Sequence, residues 1–364
     1  MIPLQIIREQ PDWVIQRLAV KNFDANSLIY QILELDWKRK STQFESDERS
    51  AEYRKLTQEI GSLIKAGQAG KANDRKNEVA KIKEEVRNLQ ERLDEISRQM
   101  NELLVRLPNI PDERVSPGIS PADNEIVYSE GSIPQLPPEA LCHWDLAVKY
   151  QIISFEIGSK VTGAGFPFYK DKGAKLQRSL ISFFLDEATK AGYTEYEPPL
   201  LVNEDSAFAT GQLPDKEGQM YFVPQDNFYL IPTAEVPLTN VYRNEFLKHT
   251  DFPIKLCAYS ACFRREAGSY GKDVRGLNRL HQFDKVEIVQ LSLPENSFQI
   301  LEEMTEHVAH LLRKLELPFR KVKLCGGDMS FTSALTYDFE VFSAAQQKWL
   351  EVSSVSNFTE FQAN

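Results

Sequence analysis

The stretch from Ser27 to Leu104 contains no proline, and its second half has an unbroken heptad pattern. Apolar residues recur there at alternating spacings of three and four, which is typical of the seam of a coiled coil. These residues are Val79, Ile82, Val86, Leu89, Leu93, Ile96, Met100 and Leu103. The first half follows the same spacing less well, because polar side chains occupy seam positions at Arg39, Thr42, Ser46 and Arg49. The pattern predicts two long helices.

The segment GQAGK at 67–71 separates the two helical patterns and predicts a reversal of the chain. We therefore expect an antiparallel arm of roughly 50 to 60 Å, at about 1.5 Å per helical residue. Such an arm can be a spacer or a dimerisation coiled coil. The tip of the arm, however, contains four cations and a single anion, Asp74. Clustered lysines and arginines of this sort bind phosphate groups. These cations are Lys65, Lys71, Arg75 and Lys76.

The charge is divided unevenly along the chain. The 364 residues include 43 Lys+Arg and 53 Asp+Glu, for a net charge of −10. Residues 1–110 carry a net charge of +1, and the remainder carries −11. This balance excludes a protein that binds nucleic acid through bulk positive charge, so an RNA contact has to be a local patch.

The four cysteines form no C-x-x-C pair, and they are interpreted as reduced thiols. Charged residues interrupt the N-terminal segment where a signal peptide needs an apolar core. An apolar run of 18 residues does not occur in the sequence. We expect a cytoplasmic protein with no membrane partner.

Prolines cluster between Pro108 and Pro138, which predicts a linker. The expected domains are a helical domain at 1–107, the linker at 108–138 and a larger domain at 139–364. In the larger domain, helical patterns at 176–193 and 296–317 accompany strand patterns without a regular βαβ rhythm. The sequence therefore predicts an antiparallel sheet and the α+β class, with a two-helix arm in front of it.

Two of the strand patterns, 255–266 and 282–291, predict a long hairpin. Strand alternation places Arg264 and Glu266 on one face, and Phe283 and Glu287 on one face of the partner strand. The loop between the strands contains Gly268, Gly271 and Gly276 beside three cations, Lys272, Arg275 and Arg279. This composition suits a polyphosphate, although a surface ladder of charges has the same appearance.

The run from Phe263 to Glu287 resembles motif 2 of class II aminoacyl-tRNA synthetases. Its detailed form is similar to the seryl-tRNA synthetase pattern FRxEAGSxGxDxRGLxRxHQFxKVE, and every fixed position of that pattern is present. Three further segments are similar to the same family and occur in the same order. They are TGQLP at 210–214, TAE at 233–235 and LEVSSVSNFTEFQA at 350–363. With the arm and the proline-rich segment, the resemblance covers nearly the whole chain.

The resemblance implies an ATP site. Arg264 would bind the α-phosphate of ATP together with the serine carboxylate, neutralising charge as the carboxylate attacks phosphorus. Glu266 would accept a hydrogen bond from the adenine amino group, and Phe283 would stack on the adenine ring. Arg279 would bind the γ-phosphate.

The resemblance also implies a serine site and a magnesium site. Thr233 and Glu287 would hold the serine ammonium, and Glu235 would order the loop that bears the threonine. Glu351 and Ser354 would bind the Mg²⁺ that bridges the phosphates. Residues three apart on a regular strand point to opposite faces, so this pair predicts a bulge or a strand end. Thr233 could instead cap the helix near Glu235, and Ser354 could be an ordinary strand hydroxyl.

The activity implied is the conversion of L-serine and ATP to seryl-adenylate, followed by transfer of serine to tRNA(Ser), and also to tRNA(Sec). The arm would reach the long variable arm of the tRNA, and motif 1, at 176–199, implies a homodimer. An inactive synthetase-like protein that binds RNA or protein is the alternative. The family's motif 3 and its serine side-chain pocket would follow Asn364, so we expect a truncated or incomplete chain whose specificity for serine is not readable.

Overall fold

The computed structural model describes residues 1–215, 218–266 and 275–363. It divides into two compact units, Met1–Ile110 and Pro111–Asn364. Part of the predicted polyphosphate loop, including Gly268, Gly271 and Lys272, lies outside the described residues.

The first unit is helical. Its helices are α1 (Leu4–Glu9), α2 (Pro11–Ala19), α3 (Asn26–Lys65) and α4 (Ala69–Leu104). The chain reverses between α3 and α4 at Gly67, whose φ of 72° lies in the left-handed region that favours glycine. The predicted pair of long helices is thus confirmed, and at about 1.5 Å per residue they are roughly 60 and 54 Å long.

The seam between α3 and α4 is apolar at its α4 side and partly polar at its α3 side. Ile82, Leu93, Ile96 and Met100 of the predicted heptad are buried. On α3, Asp36, Thr42 and Ser46 are also buried. Asp36 is satisfied because Arg8 of α1 donates two hydrogen bonds to its carboxylate, at 2.7 and 2.6 Å. Although burial opposes it, these bonds and that from Lys40 lower the pKa of Asp36 to about 2.

The second unit combines helices with antiparallel strands, as the sequence predicted. Its helices are α5 (His143–Tyr150), α6 (Phe155–Val161), α7 (Lys172–Lys190), α8 (Glu204–Ala209), α9 (Glu235–Thr239) and α10 (Ser297–Lys314). Its strands are β1 (Glu125–Glu130), β2 (Ile153–Ser154), β3 (Phe168–Tyr169), β4 (Thr194–Tyr196), β5 (Leu201–Asn203), β6 (Phe222–Val223), β7 (Phe228–Leu230), β8 (Ile254–Phe263), β9 (Gln282–Leu291), β10 (Phe319–Lys323), β11 (Leu335–Ser343) and β12 (Lys348–Asn357). The α+β class is confirmed.

The strands form several sheets. Their orders are β1-β10-β11-β12, β2-β3, β4-β8-β9 and β5-β7-β6. All described pairs are antiparallel except β4 with β8, which is parallel. The predicted antiparallel sheet is confirmed, and the parallel pair lies where the chain enters the sheet after α7.

The proline-rich segment at 108–138 contributes to a sheet of the second unit. Its strand β1 pairs with β10, from Glu125 opposite Lys323 to Glu130 opposite Phe319. The division into domains at 1–107, 108–138 and 139–364 stays a prediction.

No helix in the described ranges, which exclude 216–217, 267–274 and 364, is both long and apolar enough to cross a membrane.

Candidate active site

The sheet β4-β8-β9 is covered on both faces by helices, and this sandwich positions the candidate site. Cys257 on one face packs with Ala188 of α7. On the other face, Leu238 and the preceding Ala234 pack against Leu256 and Ala258 of β8. The apolar side of α9 thus holds the chain at 233–235 over the middle of the β8–β9 hairpin.

Small side chains on β8 lie opposite long side chains on β9. Ala258 pairs with Glu287, Ser260 with Lys285, and Cys262 with Phe283. Directly opposed residues of an antiparallel pair share a face, so the three long β9 side chains share one surface above the three small β8 residues. This surface faces the same side as α9.

Thr233 and Glu287 meet on this surface. The Thr233 hydroxyl donates a hydrogen bond to Oε2 of Glu287 at 2.6 Å. The same hydroxyl oxygen accepts from the backbone N–H of Glu235 at 3.2 Å. Thr233 therefore accepts from the first backbone N–H of α9, although the N-cap residue is Ala234, and it contacts Glu287 at the same time.

Glu235 is held by a segment far along the chain. Nε2 of Gln362 donates to Oε1 of Glu235 at 2.8 Å and to the carbonyl of Thr210 at 3.3 Å. Burial raises the pKa of the Glu235 carboxyl, the nearby Glu287 carboxylate adds to the rise, and Gln362 opposes it. The segments TGQLP, TAE and NFTEFQA, which are distant in sequence, thus meet at one place.

Arg264 and Phe283 also come together. The Arg264 guanidinium lies 5.1 Å from the centre of the Phe283 ring. Arg264 follows the end of β8 at Phe263, so the predicted strand at 255–266 is three residues too long. The backbone leaves the extended conformation by Glu266, whose φ is 48°.

Glu266 and Arg279 pair with each other. Arg279 donates to Oε2 of Glu266 at 2.7 Å. The two residues predicted to bind opposite ends of ATP are therefore adjacent, and a ligand that takes up one of them has to compete with the other. Arg275, from the same predicted loop, lies 4.7 Å from the Trp144 ring and 3.8 Å from Asp145.

The register of β11 and β12 shifts between Phe339 and Glu340. Ser354 pairs with Asp338 and Glu351 pairs with Glu340, so Val352 is the additional residue on β12. Asp338 and Glu340 are two residues apart on β11 and so point to the same face of the sheet. Their partners Ser354 and Glu351 therefore also lie on one face, because of the additional residue. The predicted bulge between these two residues is confirmed.

The carboxylates on this face of β11 and β12 change the pKa values of one another. Burial and the nearby Glu351 carboxylate raise the pKa of Asp338 to about 7, and a hydrogen bond with Ser354 opposes the rise. Burial raises the pKa of Glu351, while the positive charge of Arg264 opposes it. Lys285 acts on Glu351 in the same sense as Arg264. The cations of the β8–β9 hairpin therefore lie within electrostatic range of the β12 carboxylate.

The β12 face suits a magnesium ion that is shared with phosphates. Oδ1 of Asp338 is buried and has no hydrogen-bond partner among the described residues. Carboxylate and hydroxyl oxygens, as on Glu351 and Ser354, are the donors that Mg²⁺ takes up beside substrate phosphates. Within residues 1–215, 218–266 and 275–363, no three His, Cys, Asp or Glu residues are grouped to hold a metal by themselves.

At the tip of the arm, the four predicted cations Lys65, Lys71, Arg75 and Lys76 are exposed. Arg75 donates to Glu78 at 2.6 Å and lies 3.8 Å from Glu59. Part of its charge is therefore neutralised within the arm, which the count of charges around the turn did not anticipate.

Three site residues were missed in the sequence. Lys285 shares a face with Phe283 and Glu287 by simple alternation, which was a usable signal. Gln362 and Asp338 gave no local signal, because their contacts are with Glu235 and with the Glu351–Ser354 face.

Comparison with known proteins identifies the family of both units. Residues 1–111 match the family model described as the seryl-tRNA synthetase N-terminal domain. Residues 221–364 match the tRNA synthetase class II core domain of the G, H, P, S and T enzymes.

Individual relatives match over the full chain. The serine–tRNA ligase of Salinibacter ruber is 46% identical over 363 residues, which are 100% of this chain and 85% of the relative. That of Methylacidiphilum infernorum is 43% identical and 86% covered. The crystal structure of seryl-tRNA synthetase from Pyrococcus horikoshii complexed with ATP superposes with a TM-score of 0.91 at 30% identity, covering 100% of this chain and 86% of that one. The chain belongs to the seryl-tRNA synthetase family.

Proposed function

We propose that this chain is a serine–tRNA ligase that makes seryl-adenylate from L-serine and ATP and then transfers serine to the 3′ end of tRNA(Ser). The observation that carries the proposal is the hydrogen bond between Thr233 and Glu287, on the face of β9 where the Arg264 guanidinium lies over the Phe283 ring. A carboxylate and a cation on one surface offer partners of opposite charge to the ammonium and the carboxylate of an amino acid. The relatives named serine–tRNA ligase support serine as that amino acid.

In the first step, an oxygen of the serine carboxylate attacks the α-phosphorus of ATP, and the bond to pyrophosphate breaks. Arg264 neutralises the charge of the carboxylate and of the α-phosphate as they approach each other. Glu287 and Thr233 hold the serine ammonium, and Glu235 fixes the backbone that bears Thr233. The ATP in the Pyrococcus horikoshii complex supports the assignment of the nucleotide.

The adenine binds between motif 2 residues. Phe283 stacks on the ring and Glu266 accepts from its amino group, once Arg279 turns from Glu266 to the γ-phosphate. Glu351 and Ser354 would hold Mg²⁺, which would supply positive charge to the phosphates. In the second step, the 3′-terminal hydroxyl of the tRNA attacks the acyl carbon, and AMP leaves.

The two-helix arm binds the tRNA. Lys65, Lys71 and Lys76 present exposed charges to phosphate groups, and Arg75 adds a partly neutralised one. Motif 1, at 176–199, forms the contact between the two subunits of a homodimer. The enzyme acts in the cytoplasm.

A serine-dependent exchange of labelled pyrophosphate into ATP tests the proposal directly. We expect exchange with L-serine and Mg²⁺, and none without amino acid. Exchange with another amino acid but not with serine would overturn the assignment. Binding of tRNA(Ser) without any exchange would favour the inactive synthetase-like alternative.

A further inference from the structure

One oxygen of Glu287 is shared by two side chains. Oε2 accepts from the Thr233 hydroxyl at 2.6 Å and lies 2.8 Å from Nζ of Lys285. The Glu287 side chain is 17% exposed and that of Lys285 is 33% exposed. A half-buried ammonium therefore already contacts the carboxylate that the proposed function assigns to the ammonium of serine.

The surroundings of this pair contain more carboxylates than cations. Glu235 at the start of α9 and Glu351 on β12 contribute negative charge, and Arg264 after β8 contributes positive charge. Further ionisable groups on this side, among the residues that the structure describes, are Cys262 of β8, Asp328 before β11, and Asp338 and Glu340 of β11. Without Lys285, Glu235 and Glu287 would face each other, and Arg264 would be the remaining cation that acts on Glu235 within the described part of the chain.

We propose that Lys285 is a positioning residue whose ammonium holds Glu287 in the free protein and exchanges with the α-ammonium of the substrate on binding. The inference rests on the proposed function, since it takes Glu287 as the ammonium site. The displaced lysine turns toward Glu351, the side on which the phosphates are placed. Serine binding then replaces the ammonium of Lys285 by the ammonium of the substrate. Glu235 and Glu287 therefore have a neighbouring cation both before and after binding.

The exchange has a measurable consequence for protons. Burial and Glu287 raise the pKa of Glu235, whereas Lys285 and Arg264 oppose the rise. Removal of the lysine charge favours protonation of Glu235 in the free protein, and an incoming ammonium has to displace that proton. Serine binding to such a variant should release a proton, and its affinity should fall as the pH falls.

Lys285→Met removes the charge and keeps the apolar stem, Lys285→Gln is a second uncharged variant, and Lys285→Arg keeps the charge. Lys255→Met is the matched control, because Lys255 lies on β8 against the Tyr193 ring, on the opposite face. Serine titration calorimetry at pH 7 in buffers of different ionisation enthalpy counts the protons released. Pyrophosphate exchange between pH 6 and 8 gives KM and kcat for serine.

We expect the wild type, Lys285→Arg and Lys255→Met to release the same number of protons on serine binding. Lys285→Met should release more protons on serine binding than the wild type, and its KM for serine should rise as the pH falls from 8 to 6. Lys285→Gln should give the same result as Lys285→Met. It replaces Lys285→Met as the test if Lys285→Met lacks the wild-type circular dichroism spectrum. Unchanged proton counts and KM profiles in the uncharged variants would overturn the inference. Absence of serine-dependent exchange in the wild type would instead refute the proposed function.

Discussion

The hydroxyl of Thr233 contacts the carboxylate of Glu287, 54 residues later in the chain, at 2.6 Å. Its oxygen also accepts the backbone N–H of Glu235, so the single hydroxyl proton is directed at Glu287. One side chain thereby joins the start of α9 to the centre of β9. This link defines the corner in which we place the substrate ammonium.

Thr233→Ala should weaken serine binding. A hydrogen bond to a charged group contributes about 1.5 to 3 kcal/mol, so we expect the KM for serine in pyrophosphate exchange to rise roughly 10- to 100-fold. Thr233→Ser keeps the hydroxyl and serves as the control, with a KM close to that of the wild type. An unchanged KM in Thr233→Ala would separate this contact from substrate binding.

Arg264→Ala should slow adenylate formation. The guanidinium provides preorganised charge at the α-phosphate, and the loss of one such group costs about 3 kcal/mol of barrier, or more than 100-fold in rate. Single-turnover formation of seryl-adenylate measures this step. Arg87→Ala, on the exposed side of α4, should leave the rate unaltered. Equal rates in both variants would mean that motif 2 has been placed incorrectly.

Glu351→Gln should raise the Mg²⁺ concentration needed for half-maximal pyrophosphate exchange by about tenfold, because a neutral amide is a weaker magnesium ligand. The bulge at Val352 brings Glu351 to the face of Ser354, so Ser354→Ala should shift the same curve in the same direction. Glu245→Gln, an exposed surface change, is the control. Unshifted magnesium curves in both site variants would rule out this face as the metal site.

The parts of the fold that depend on local periodicity could be predicted from sequence. The heptads at 79–103 determine which side of α4 is buried, since helical spacing alone brings these residues together. Contacts between distant segments could not be obtained in this way. Gln362 reaches Glu235 only because the turn after β12 and the start of α9 converge in the folded chain.

The candidate site shows the same division. The faces of β9 follow from alternation, and the bulge on β12 followed from requiring Glu351 and Ser354 to act together. The pairing of Glu266 with Arg279 was not predicted, because the backbone departs from strand geometry at Glu266. The role of each residue came from the resemblance, as spacing contains no information on ligand chemistry.

Deletion of residues 28–103 should spare adenylate formation and strongly reduce charging of tRNA(Ser), since the arm lies in a separate compact unit. Comparison of pyrophosphate exchange with aminoacylation tests this. Equal loss of both activities would argue against a role for the arm in tRNA binding alone.

Replacement of Lys65, Lys71 and Lys76 by Ala is a finer test of the arm, because these residues are exposed. Fewer phosphate contacts release fewer counterions. The fall of log affinity for tRNA with log salt should therefore become less steep, by about two to three in the slope. Arg75→Ala should change the slope less, because Glu78 and Glu59 already neutralise that charge. A slope equal to that of the wild type in the triple variant would place the tRNA contact elsewhere on the arm.

Glu187 should make the stability of the second unit depend on pH. Hydrogen bonds from Lys190 of α7 and Lys314 of α10 lower its pKa from 4.5 to about 2. A carboxyl with a lowered folded-state pKa stabilises the fold above its unfolded pKa, and this contribution is lost as the pH falls from about 4.5 toward 2. Glu187→Gln should therefore lower the urea midpoint at pH 7 and approach the wild type only near pH 2, whereas Glu245→Gln should follow the wild type throughout. A difference between Glu187→Gln and the wild type that is the same at pH 7 and pH 3 would show that packing, and not charge, joins α7 to α10.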